Sequence, residues 1–150
     1  YAKWGGFIDD VDRFDPLFFR MSPAVAQITD PQERLFLECA YEAMEDAGHT
    51  SGSLAGHAGS GFSAGAGVFV GVMYEEYQLY GPVSLAASPA SIANRVSHSL
   101  NLGGPSMVVD TMCSSSLTAI QLACQSMAWS RYIRLVRTQA VRSMDRPGTR

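Results

Sequence analysis

Met107-Val108-Val109-Asp110-Thr111-Met112-Cys113-Ser114-Ser115-Ser116-Leu117 is the stretch on which the fold turns. Met107 to Val109 is a short apolar run bounded by Pro105 and Asp110, the pattern of a strand buried on both faces. Beyond the serines, Leu117, Ile120, Ala123, Cys124 and Met127 recur at helical spacing. The order is therefore strand, tight turn, helix, with a cysteine in the turn: an α/β unit.

The position of Cys113 admits two readings. A thiol reacts as its thiolate, and the unpaired N–H groups and dipole at a helix N-terminus favour that negative charge. The flanking serines are small and can cap the helix, so an acyl group could approach the sulfur while a backbone N–H of the turn faces a developing oxyanion. Against this, Cys113, Leu117, Ile120, Cys124 and Met127 are spaced 4, 3, 4 and 3 apart. Cys113 could thus be a small core residue continuing an apolar seam, and the residues alone leave both roles open. Cys39 and Cys124 lie inside predicted helices and are expected in the core.

Outward from that stretch, the 150 residues are 47% hydrophobic and 17% charged, which suits one globular domain and excludes disorder. Apolar runs such as Val68 to Met73 fall far short of the roughly 18 residues of a transmembrane helix. The start, Tyr1 to Gly6, has neither the basic opening nor the apolar middle of a secretory signal, and the chain is expected to be cut from a longer reading frame. Three cysteines with no CxxC pair and no Cys/His cluster exclude a zinc site and point to a reducing cytoplasm.

Residues 1 to 29 mix Phe7, Phe14, Phe18 and Phe19 with Asp9, Asp10, Asp12 and Asp15, and Pro16 and Pro23 interrupt them. They predict loop and short turns packed by phenylalanine. Asp30-Pro31-Gln32-Glu33 combines an N-cap acid, proline at the first helical position and Glu at the third. With Leu37, Ala40, Tyr41 and Met44 on one face and Gly48 as the stop, it predicts an amphipathic helix over 31–47. The Gly/Ser/Ala stretch from Thr50 to Gly67 is a loop; its glycines precede the apparent strand Val68 to Met73 and no lysine follows, so it is not a phosphate cradle. Ser88-Pro89 opens a further helix, with Ile92 and Val96 on one face, that ends before Asn101.

Val109 to Leu117 resembles the active-site signature of beta-ketoacyl synthases, specifically the ketosynthase domains of bacterial modular polyketide synthases. Gly5 to Phe19, Asp30 to Leu35, Glu42 to Gly48 and Asn101 to Ser106 resemble the same family in order. Met112, Val68 to Tyr80 and Ser88 to Arg95 look like the subgroup whose acyltransferase is a separate protein, the trans-acyltransferase subgroup. The resemblance implies a thiolase-like fold of stacked α/β/α/β/α layers, of which residues 1–127 would be the N-terminal portion, and homodimerisation of the intact domain. It implies that Cys113 accepts an acyl chain from the phosphopantetheine arm of an acyl carrier protein. Its backbone N–H would form half of the oxyanion hole. A decarboxylative Claisen condensation with a malonyl thioester would follow, with no bound cofactor or metal and no nucleic-acid or membrane partner. The family's two catalytic histidines lie downstream of the cysteine, and His49, His57 and His98 do not match their motifs. His49 and His57 are expected in solvent, and His98 is expected to pack or hydrogen-bond.

The resemblance stops after Met127. Residues 1 to 130 carry 5 basic and 13 acidic groups, whereas 131 to 150 carry 6 basic and 1 acidic. Arg131, Arg134 and Arg137 could form a basic stripe. The charge reversal instead points to a frame error or truncation, which makes 128–150 a basic tail foreign to the domain. Two functions therefore compete: an acyltransferase that has lost condensation, and a non-catalytic remnant that keeps a dimerisation or carrier-protein surface. Nucleic-acid binding rests on arginines alone, with only Trp129 and Tyr132 to stack on bases.

Overall fold

The computed structural model describes residues 3–6, 8–54, 65–74, 77 and 88–128. Phe7, His57, most of the Gly/Ser loop, part of the segment up to Tyr80 and the arginine tail lie outside the described residues.

Turns occupy most of residues 9–20. Asp15 Oδ1 accepts from the amides of Leu17 and Phe18 at 3.0 and 3.1 Å. Phe14 stacks on Phe19 with centroids 5.3 Å apart, and Phe18 and Phe19 both meet Tyr41 edge-on. The predicted phenylalanine packing is present, with one addition. Ser22 caps a short helix, α1 (Pro23–Ile28), by accepting from Val25 N. Pro23, read as an interruption, is the helix's first residue, a position where its missing N–H costs nothing.

Helix α2 (Pro31–Asp46) starts where Asp30 Oδ1 accepts from Gln32 N at 2.8 Å. It stops in a Schellman turn: Gly48 N reaches Glu45 O, His49 N reaches Met44 O, and Gly48 takes φ +71°. Leu37 and Met44 are buried as its periodicity requires. Cys39 is not; it lies about 200° round the helix from Leu37 and is exposed, which corrects its expected place in the core. A four-residue helix, α3 (Ser51–Leu54), follows within the predicted loop.

Strands β1 (Val68–Gly71) and β2 (Ser106–Val109) pair in parallel, Val68 opposite Ser106 and Gly71 opposite Val109. Helix α4 (Ala90–Ser99) contacts both strands and α2. It is the centre of the core: Ile92, Ala93 and Val96 are each 1% exposed and pack with Leu37, Met44, Val68 and Val70. Asn101, at φ +54°, ends α4 in a second Schellman turn, with Leu102 N bonded to Ser97 O. Strand β2 is less buried than its apolar run predicts, because Met107 points outward and is 43% exposed. A last helix, α5, is described over residues 115–128. No helix among the described residues is long and apolar enough to cross a membrane.

Candidate active site

Five residues, 110 to 114, separate β2 from α5, and they form one tight, self-bonded turn. Asp110 Oδ1 accepts from Met112 N at 2.9 Å, an Asx turn that lets the chain reverse at Met112. Met112 sits at φ +57°, a left-handed conformation that costs a side-chain-bearing residue about 1 kcal/mol. Ser114 donates its hydroxyl to Thr111 at 2.9 Å, and Thr111 Oγ1 lies 3.1 Å from Thr118 Oγ1, which ties the turn to α5. Ser115 is buried at 5% exposure; its Oγ accepts from Thr111 N at 2.9 Å and donates to Met112 O at 2.7 Å.

Cys113 projects from the middle of this turn, two residues before α5, and is exposed. Its amide donates to no acceptor among the described residues. Sulfur and backbone N–H therefore stand together at the N-terminal end of a helix of fourteen residues. The Cys113 side chain is not packed in the core of the described residues.

The seam to which it was assigned is itself unburied. Leu117, Ile120 and Met127 are 73%, 60% and 62% exposed, and Cys124 is exposed as well, a correction to its predicted place in the core. Ala119 and Ser115 occupy the buried side of α5 instead, because that side is the one that meets β1. Gly71 makes the contact possible. A Cβ on it would lie 2.6 Å from the backbone of Ser115 and Ser116, so only glycine lets the strand end abut the helix's first turn. Ser115 is expected from the sequence only as one of the small serines able to cap the helix, and Gly71 carries no expected role, although glycine closing an apolar strand is a signal of close backbone approach.

The histidines stand apart. His49 is exposed and its Nδ1 lies 3.4 Å from Ser53 Oγ. His98, expected to pack or hydrogen-bond, is exposed on the last turn of α4, because the buried face of that helix runs through Ile92, Ala93 and Val96. It borders a cavity of about 570 Å³ with Glu33, Ser91 and Arg95. A second cavity of about 420 Å³ lies between α2 and β1. Neither cavity includes a residue of the Cys113 turn. No cluster of His, Cys, Asp and Glu able to hold a metal occurs among the described residues.

The family described as "Beta-ketoacyl synthase, N-terminal domain" matches residues 1–131. The chain is 57% identical over 135 residues to polyketide synthase PksL of Bacillus subtilis (strain 168), covering 85% of this chain and 3% of PksL. It is 58% identical over 135 residues to polyketide synthase ThaG of Burkholderia thailandensis, covering 85% of this chain and 2% of ThaG. Among solved structures, the oxazolomycin ketosynthase domain OzmH KS7 of Streptomyces albus JA3453 superposes with a TM-score of 0.73 at 47% identity, over 85% of this chain and 22% of that one. The ketosynthase from module 6 of the Bacillus subtilis bacillaene synthase also gives 0.73, at 39% identity, over 84% and 21%. The chain thus spans about a fifth of the solved ketosynthases it matches. The fold is the N-terminal portion of the thiolase-like architecture, and the bacterial relatives accord with the subgroup that Met112 and residues 68–80 resemble.

Proposed function

This chain belongs to the beta-ketoacyl synthase family, whose N-terminal domain it carries, and from that premise we propose that Cys113 is its acyl-accepting nucleophile. The observation that carries the reading is the exposed sulfur of Cys113 near the start of α5, beside its own amide, which has no acceptor among the described residues. The substrate is an acyl thioester on the phosphopantetheine arm of an acyl carrier protein. The Cys113 thiolate attacks the thioester carbonyl, the Cys113 N–H stabilises the oxyanion, and the carrier's thiolate leaves as the new carbon–sulfur bond forms.

In the complete reaction a malonyl thioester loses carbon dioxide, and the resulting carbanion displaces Cys113 from the acyl group to give a beta-ketoacyl thioester. Decarboxylation needs positioned donors on the malonyl carbonyl, and loss of one such donor typically costs ~10²–10³ in rate. His49, His57 and His98 do not match the motifs of the family's two catalytic histidines, and among the described residues neither His49 nor His98 hydrogen-bonds to the Cys113 turn, so this chain by itself accepts an acyl group and does not condense it. A cytoplasmic location and homodimerisation of the intact domain belong to the same reading.

The test incubates the purified chain with acyl and malonyl carrier-protein thioesters and follows both acyl-enzyme mass and beta-ketoacyl product. The expected result is a mass increment on Cys113, absent from Cys113→Ala, with no product. Failure of wild type to acylate would favour the non-catalytic reading, and product that depends on Cys113 would overturn the loss of condensation.

A further inference from the structure

We propose that Ser115 is the positioning residue of this site: its buried hydroxyl clamps the turn that presents Cys113. The inference rests on Cys113 being the nucleophile and adds what holds it ready. One oxygen spans the turn, accepting from Thr111 N at 2.9 Å and donating to Met112 O at 2.7 Å. Thr111 and Met112 precede Cys113 and Ser115 follows it, so the hydroxyl draws both sides of the nucleophile's loop together.

Two further observations require such a clamp. Met112 is held at φ +57°, and an unfavourable backbone conformation persists only where its surroundings over-determine it. Among the described residues the Cys113 amide has no acceptor, while the neighbouring amides of Thr111, Met112 and Ser114 are bonded to Ser115, Asp110 and Thr111. Ser115 is in turn seated by Gly71, whose bare Cα lets β1 press against the Ser115 backbone. The clamp, the reversed Met112 and the strand end form one assembly with Cys113 at its tip. Without the hydroxyl, Thr111 N–H loses its acceptor, Met112 is held only by Asp110 Oδ1 on its N–H and by the Ser115 amide on its C=O, and the loop that presents Cys113 loosens.

The experiment compares wild type, Ser115→Ala, Ser115→Thr and Ser116→Ala in the full chain. Limiting iodoacetamide and an acyl thioester are the probes, Cys39 is the internal reference thiol, and far-UV circular dichroism reports the fold. Wild type, S116A and S115T are expected to label Cys113 ahead of Cys39, and S115A to lose that lead roughly fivefold with helix content intact. A folded S115A with the wild-type ratio overturns the clamp. If S115A does not fold, S115T decides: the wild-type ratio supports the clamp, and a folded S115T whose Cys113 reacts no faster than Cys39 overturns it. Wild-type Cys113 that neither leads Cys39 nor acylates overturns the nucleophile assignment itself, a result distinct from any of these.

Discussion

Glu33 of α2 and Arg95 of α4 meet in an ion pair whose two halves are unequally buried: the Glu33 side chain is 1% exposed and that of Arg95 31%. Ser91 Oγ also donates to Glu33, at 2.8 Å. Removing either partner should therefore not cost the same. Arg95→Ala strands a charged carboxylate in the core and is expected to cost about 3 kcal/mol. Glu33→Gln leaves a guanidinium that can turn to water and should cost about 1 kcal/mol. Urea titration of the two variants checks the order, and equal midpoints would show that the pair is not what joins the helices.

Gly71→Ala should act on the reactive turn from outside it. The added methyl would lie 2.6 Å from backbone atoms of Ser115 and Ser116, which cannot swing aside as a flexible side chain can. Either β1 or the first turn of α5 must shift, at a cost of about 1–3 kcal/mol. The prediction is a drop in Cys113 alkylation relative to Cys39, with less loss for Gly48→Ala, where open space surrounds the new methyl and only the positive φ is penalised. Equal effects of the two substitutions would count against the close approach of β1 and α5.

What was legible in the sequence was whatever local chemistry dictates. Asp30-Pro31 starts α2, Gly48 and Asn101 end helices, and Leu37, Ile92 and Val96 line the core, because caps and periodicity act within a few residues. Long-range partnerships were not legible. Glu33 has the position of a capping-box acid yet turns to Ser91 and Arg95, 58 and 62 residues on. Cys124, expected in the core, is exposed together with Leu117 and Ile120 of the same seam, since a helical period shows that residues share a face and not that anything covers it. At the site, the order strand, turn, helix placed Cys113 at a helix start, but the hydroxyl bridge of Ser115 needs coordinates to be seen.

Glu38 gives a pH prediction. Partial burial pushes its carboxyl above the ordinary range, Glu42 adds to the shift, and Arg34 opposes it. A carboxyl raised in the folded state is protonated there before it is protonated in the unfolded chain. Its contribution therefore improves as pH falls through the folded value, is complete below the unfolded value, and is a penalty at neutral pH. Glu38→Gln should raise Tm at pH 7 by about 1–2 °C, a small effect because solvent screens a partly exposed site, and should change little below about pH 4. A larger gain in acid than at neutrality would reverse the sign and contradict the assignment.

The open face of α5 carries the last prediction. Leu117, Ile120 and Met127 project from one helix at 73%, 60% and 62% exposure, and they continue the helix that presents Cys113. Apolar surface removed from water contributes about 25 cal/mol per Å², so burying three such side chains favours association by several kcal/mol. The chain is expected to bind an apolar dye and to self-associate as its concentration rises. Replacing the three residues with glutamine should abolish most of the dye signal and shift sedimentation toward monomer. Folding should barely change, since none of the three is in the core and exposed substitutions usually stay within about 0.5 kcal/mol. The contrast with a core variant is the control: Ile92→Ala, at a site 1% exposed, should cost about 2–5 kcal/mol and increase dye binding. Dye binding unchanged in the triple glutamine variant would place the exposed apolar surface elsewhere, on Trp4, Leu17 and Phe18 at the opposite end of the sequence.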